Sequence, residues 1–268
     1  MLIVNRIHKF YFKLINSVLD NIRCHTKDLS IFNRIDFVSK GKGFNPVTIY
    51  DKVIENDLIE LADLITPKIK VYGEEFKVGI NNNSMWLIDP IDGTKSFVCG
   101  SPIWGTLISL IKNGAFVFGA VDHPMLDERL VAIDGKTFYK DKHHNFITLP
   151  NVVDNKKRLN QYIIASSSIG HMTLKKRKAF TRLSKKVQHV IYDYDCYAYT
   201  MLAKGYIDAV IECNLNPYDF VQLVPILKGV GCEIYDWKGK DTCYSTNIIA
   251  SKPGKIRRHI VKTLSKSY

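Results

Sequence analysis

Two apolar runs, at residues 104–112 and 115–122, flank the dipeptide Asn113-Gly114. Asn-Gly is the pair that accepts positive φ at two successive positions. A two-residue loop of that kind follows the natural twist of paired strands, so this stretch reads as a β-hairpin. Residues 129–133, followed by Asp134-Gly135, add a further strand and turn. Upstream, Met85-Trp86-Leu87-Ile88 is an apolar run of strand length that stops at Asp89,. The first half of the chain is therefore expected to be an antiparallel sheet with helices packed on it.

The helices are read from spacing. Ile3, Ile7, Phe10, Leu14, Val18 and Ile22 recur three or four apart across residues 2–22,. Val53, Ile54, Leu58, Leu61 and Ile65 do the same from Thr48 to about Leu64, and Pro67 ends that helix,. Residues 44–48 read as a turn, 71–73 as a short strand and 81–84 as a loop. Residues 140–160 are polar and of mixed charge, and a junction there divides the chain into residues 1–145 and 146–268,. Beyond it, strands at 162–165, 209–212, 232–235 and 247–250 alternate with helices at 175–187, 197–204 and 220–229.

Composition narrows the class. With 46% hydrophobic and 24% charged residues in 268, the chain can build a substantial core, which excludes a disordered or fibrous protein,. No run is apolar enough to cross a bilayer, and residues 2–22 form an amphipathic pattern rather than the apolar block of a secretory leader,. Six cysteines lie at spacings that suit neither zinc nor a redox pair, as expected of reduced thiols in a cytoplasmic protein,. The net charge of +12 favours anionic partners, phosphorylated metabolites and nucleic acid among them,. Its densest cluster, Lys175-Lys176-Arg177-Lys178 with Arg182, Lys185 and Lys186, reads as the solvated face of a helix whose Leu174, Phe180, Leu183 and Val187 turn inward. Docking of nucleic acid or protein there is the alternative.

Chemistry concentrates in Trp86-Leu87-Ile88-Asp89-Pro90-Ile91-Asp92-Gly93-Thr94-Lys95-Ser96. Pro90 fixes its own φ and keeps Asp89 extended. Gly93 allows a sharp turn and close approach of a ligand, and Thr94 is a residue type that caps a helix. Two carboxylates then stand beside an open helix start. Carboxylates suit a hard divalent cation and free N–H groups suit a phosphate, so metal and phosphate would be neighbours.

Asp89-Pro90-Ile91-Asp92-Gly93-Thr94, preceded by Trp86, resembles the signature of the inositol monophosphatase family. Three further elements follow the family's order: Pro46-Val47-Thr48-Ile49-Tyr50-Asp51, Gly73-Glu74-Glu75, and Asn216-Pro217-Tyr218-Asp219 with the later residues 231–239. The likeness spans roughly residues 37–240. It implies an α+β fold, a layered α-β-α-β-α sandwich, and a Mg²⁺-dependent phosphoric monoester hydrolase holding two or three ions. Glu74, Asp89, Asp92 and Asp219, with the carbonyl of Ile91, would be metal ligands. Thr94, Asp51 and Glu74 would be catalytic, the first two as a dyad that activates water. Gly93, Thr94 and Lys95 would hold the phosphate. Glu75 and either Lys40 or Lys42 are further candidates near the metal loop. A homodimer is also implied.

Substrate choice falls outside the metal motif. Asp195-Cys196-Tyr197-Ala198-Tyr199 and Asn216-Pro217-Tyr218-Asp219 resemble the histidinol-phosphatase branch. Asp195 and Glu212 would face the substrate alcohol, and two acids suit a cationic alcohol better than a neutral polyol. Histidinol phosphate and inositol monophosphate are the two candidate substrates. The alternative is a protein- or RNA-associated regulatory factor on the same fold. Tyr50 stands where many members carry Ala, and Gly229-Val230-Gly231-Cys232 replaces a more usual Ala-Gly-Gly.

Overall fold

The computed structural model describes residues 6–27, 35–40, 44–74, 83–140, 143, 145–154, 157–167 and 169–265. The chain opens with helix α1 (Arg6–Lys27), then a short hairpin of β1 (Val38–Ser39) and β2 (Pro46–Val47). Residues expected to form a turn thus pair as a strand, Val38 opposite Val47. Helix α2 (Ile49–Ile65) follows. Its first turn is closed by Thr48, which accepts from the N–H of Asp51 while the Asp51 carboxylate accepts from the N–H of Thr48,.

Seven strands come next in chain order: β3 (Val71–Gly73), β4 (Met85–Asp92), β5 (Gly105–Lys112), β6 (Ala115–His123), β7 (Glu128–Ile133), β8 (Lys136–Lys140) and β9 (Phe146–Thr148). They lie side by side in that order, antiparallel except for β3 and β4. The five-residue helix α3 (Thr94–Val98) interrupts them after β4. The hairpin turn at Asn113-Gly114 has φ of 52° and 77°, as its sequence requires,.

A second sheet is built from β10 (Ile163–Ser166), β11 (His189–Tyr192), β12 (Ala209–Ile211), β13 (Glu233–Asp236) and β14 (Ile248–Ser251), in the order β11-β10-β12-β14-β13. Between and after them run α4 (Leu174–Ser184), α5 (Asp195–Ala203), α6 (Val224–Gly229) and α7 (Lys255–Leu264). The spacing over 220–229 resolves into a 3₁₀ turn at Val221–Leu223 before α6, with Pro225 near the helix start.

These elements stack in five layers. Ile15, Leu19 and Ile22 of α1 and Ile54, Leu58 and Leu61 of α2 bury against Trp86, Ile88, Phe118 and Val131 of the large sheet. Tyr199 and Leu202 of α5 and Ile226 and Leu227 of α6 fill the space between the sheets, against Leu107, Val121 and Val210. Ala179, Phe180 and Leu183 of α4 and Ile256 and Ile260 of α7 cover the outer face of the small sheet. The fold is the expected α+β, α-β-α-β-α sandwich. Phe10 and Leu174, expected to turn inward, are instead exposed, both in the N-terminal part of their helices. The remaining inward residues of α4 match the periodicity, which leaves its lysines on the outer side. Among the described residues no helix is long and apolar enough to cross a membrane.

A buried ion cluster ties α1 to the large sheet. Asp122 accepts from Arg23 Nη2 at 2.7 Å and from Arg129 Nε at 2.7 Å, and all three side chains are buried. Paired in this way, these charges are tolerated in the core; removing one partner would strand the others.

Candidate active site

The site forms where β4 runs out of its ladder. β4 pairs with β5 from Met85 to Asp89, slips, and resumes at Asp92 opposite Gly105. Pro90 has no N–H to offer the ladder, and Thr106 Oγ1 donates to its carbonyl at 2.8 Å instead,. Residues three apart on a regular strand face opposite ways. The slip lets Asp92 come close enough to help raise the Asp89 carboxyl,. The strand thus continues through both acids rather than stopping at Asp89.

Gly93 then turns at φ 83° and is itself the cap of α3, so Thr94 is the first helical residue rather than the cap. Its hydroxyl is used elsewhere: Oγ1 lies 2.9 Å from the Ile91 carbonyl and 3.4 Å from Asp51 Oδ1. The other Asp51 oxygen accepts from Thr48 N and Thr48 Oγ1, each at 2.6 Å, which fixes the carboxylate on the α2 cap. Tyr50, unusual at its position, sets its ring edge-on to Phe97 at 5.8 Å and props α2 against α3.

Carboxylates from four segments meet here. Asp89 is buried and its carboxyl is pushed well above the usual range by burial first, then by Glu74, Asp92, Asp219 and Asp51. Asp92 is pushed well up by burial and by Asp195 and Asp219. Asp219 rises to about 7 through burial and Glu74, although Asn216 N donates to it at 2.7 Å. Glu74 pairs with Lys40 Nζ at 3.2 Å. Lys40 therefore reaches the site, whereas Lys42 and Glu75 fall outside the described residues.

Asp89 Oδ1 is enclosed and has no hydrogen-bond partner among the described residues. A carboxylate oxygen aimed into a ring of other acids is a poor hydrogen-bond group and a good ligand for a hard cation. The residues present thus fit a divalent metal. Among the described residues no three such groups are already drawn together as a finished coordination shell. Asp92, Asp219 and Glu74 each have an oxygen turned to Cys196 N, Asn216 and Lys40 respectively.

A second acidic group lines the far side. Asp195 begins α5 with φ 43° and accepts from Ser96 Oγ at 2.6 Å. The next residue, Cys196, gives its otherwise unpaired first-turn N–H to Asp92 Oδ2 at 2.7 Å,. Glu212, buried beyond β12, accepts from Ser167 N at 2.7 Å and Ser167 Oγ at 2.8 Å, and its carboxyl is pushed up to about 8 by burial and by Asp195 and Asp193. Asp195 is itself raised by burial and Asp193, with Ser96 and Lys95 pulling the other way. Ser96 and Ser167, which hold these two acids, were not legible as site residues. Ser96 ends the motif string, but nothing in the sequence pairs Ser167 with Glu212. Among the described residues no histidine joins the cluster; His123 is buried, bonded to Trp104 O and Thr200 Oγ1, and burial lowers it to about 4. All six cysteines are free thiols.

The fold is a layered α+β sandwich with an acid cluster at a broken strand end. The chain belongs to the inositol monophosphatase family, whose model matches residues 8–268. It is a phosphoric monoester hydrolase of that family. The chain is 34% identical over 244 residues to the bifunctional phosphatase IMPL2 of Arabidopsis thaliana chloroplasts, covering 86% of this chain and 68% of the relative. It is 28% identical over 242 residues to the histidinol-phosphatase of Streptomyces coelicolor, covering 88% and 91%. Its fold superposes on the inositol monophosphatase of Thermotoga maritima with a TM-score of 0.79 over 98% of both chains, at 24% identity.

Proposed function

We propose that the chain hydrolyses histidinol phosphate, or a phosphate monoester of a similarly cationic alcohol, with Mg²⁺ as cofactor. The observation that carries the choice of alcohol is the trio Glu212, Asp195 and Asp193. Burial, then Asp195 and Asp193, push the Glu212 carboxyl up to about 8, and burial and Asp193 raise Asp195. An ammonium or imidazolium group would relieve that repulsion, whereas a neutral polyol would not. Relatives named histidinol-phosphatase support the same choice. Inositol monophosphate is the competing substrate, since other relatives bear that name.

Glu74, Asp89, Asp92 and Asp219, with the Ile91 carbonyl, would hold two or three ions. Bound Mg²⁺ supplies positive charge that screens the phosphate dianion and makes water more acidic. The chain's own residues do the rest. The backbone at Gly93, Thr94 and Lys95 receives the phosphate. Asp51, fixed by Thr48, takes the proton of the Thr94 hydroxyl, which takes one from the attacking water as that water turns on phosphorus, while the ester P–O bond breaks and the alcohol leaves with a proton from solvent,. Glu74 lies across the acid cluster and orients the same water. Asp195 and Glu212 grip the alcohol. In this reading residues 1–145 carry the metal and phosphate site, and residues 146–268 supply Asp219 and the alcohol-facing acids. Assembly as a homodimer and residence in the cytoplasm complete it.

The test is phosphate release from histidinol phosphate, inositol 1-phosphate, fructose 1,6-bisphosphate and phosphoadenosine phosphate, each with Mg²⁺ and with a chelator. Release from the first that the chelator abolishes is expected. Silence on all four, alongside salt-sensitive RNA binding, would favour a regulatory factor and overturn the proposal.

A further inference from the structure

Tyr199 lies in the middle of α5 and is buried. Its ring packs on Phe220 with centroids 5.3 Å apart, next to Asp219 in the chain. Its hydroxyl is enclosed and has no hydrogen-bond partner among the described residues. A buried hydroxyl without a partner is costly, and a phenylalanine would fill the same space without that cost. The charged side chains that act on it are Glu212 first, then Asp92 and Asp219. Burial and these charges push the phenol well above its ordinary value, so it remains an O–H donor. Glu212 is held by Ser167 through Oε1 alone.

We infer that Tyr199 is a positioning residue whose hydroxyl donates to the Glu212 carboxylate in the substrate-bound site, fixing the acid that meets the substrate's alcohol portion. The inference rests on the phosphatase reading above. It explains why a hydroxyl is kept in a core position that the resting protein leaves unpaired. Acting through Glu212, Tyr199 would matter for the alcohol and not for the phosphoryl group.

Tyr199→Phe separates this role from packing. Three readouts are needed: kinetics on whichever phosphate of the panel the wild type turns over best, kinetics on phenyl phosphate, and the unfolding midpoint of the metal-free protein. Expected are a KM about tenfold higher on the preferred substrate, a kcat/KM on phenyl phosphate within about twofold of wild type, and a midpoint equal to or above wild type. In the Glu212→Gln background, Tyr199→Phe should add nothing further. An unchanged KM, an equal loss on both substrates, a lowered midpoint, or full additivity with Glu212→Gln would each overturn the inference. A wild type silent on every substrate overturns the phosphatase reading and this inference with it; wild-type kinetics in Tyr199→Phe overturn only the inference.

Discussion

The Asp195 carboxylate occupies the space that a side chain on Gly93 would need: a Cβ there would lie 2.6 Å from Asp195 Oδ2. Gly93 also turns at φ 83°, in the left-handed region that glycine enters freely,. The phosphate-side loop and the start of α5 are thus fitted to each other through an absent side chain. Gly93→Ala is expected to lose about 1–3 kcal/mol of stability from backbone strain and, by displacing Asp195, to lower kcat/KM. Urea unfolding and steady-state assay check both. A variant with wild-type midpoint and kinetics would contradict this fit.

Thr94 and Asp51 give a second outcome. The Thr94 hydroxyl spans the Ile91 carbonyl and Asp51 Oδ1 and contributes nothing to capping α3. Thr94→Val should lower kcat by about 10²–10⁴-fold with the unfolding midpoint little changed, while Thr94→Ser keeps most of the rate. If Thr94→Val turned over normally, the dyad assignment would be wrong.

Asp92→Asn is expected to abolish turnover while leaving the fold intact. The amide oxygen can still accept from Cys196 N, and a neutral side chain suits a site whose acid is pushed up by burial and neighbouring charge. Circular dichroism should match wild type, and calorimetry should show weakened Mg²⁺ binding. Retained activity would remove Asp92 from the metal site.

Glu212 predicts a dependence on pH. Its carboxyl stands at about 8 in the folded protein against an ordinary 4.5. Between those values the folded protein holds a proton that the unfolded chain has released. Stability is therefore full below about pH 4.5 and falls as pH rises towards 8. Metal-free wild type should lose midpoint relative to Glu212→Gln across that window. A difference between the two proteins that does not vary with pH would contradict the shift.

Much of this was legible in the sequence alone. Alternating apolar runs and Asn113-Gly114 specify the antiparallel hairpin because turn chemistry is local. The acids Asp51, Glu74, Asp89, Asp92 and Asp219 were readable because each belongs to a motif. What stayed hidden depends on distant partners. The strand β9 lies in a polar stretch and is fixed by pairing with β8, not by its own pattern. The strand β11 and the helix α7 passed unread, since each is completed by packing against the second sheet. Likewise the Ser167 hold on Glu212 and the unpaired hydroxyl of Tyr199 arise from tertiary approach, across 45 residues in the first case.

The most direct test of the central claim is the ratio of kcat/KM for histidinol phosphate to that for inositol 1-phosphate, measured at saturating Mg²⁺. The acids Asp193, Asp195 and Glu212 predict a ratio of at least about ten, a preference worth about 1.4 kcal/mol. A ratio below one, or no phosphate released from either substrate, would contradict the account.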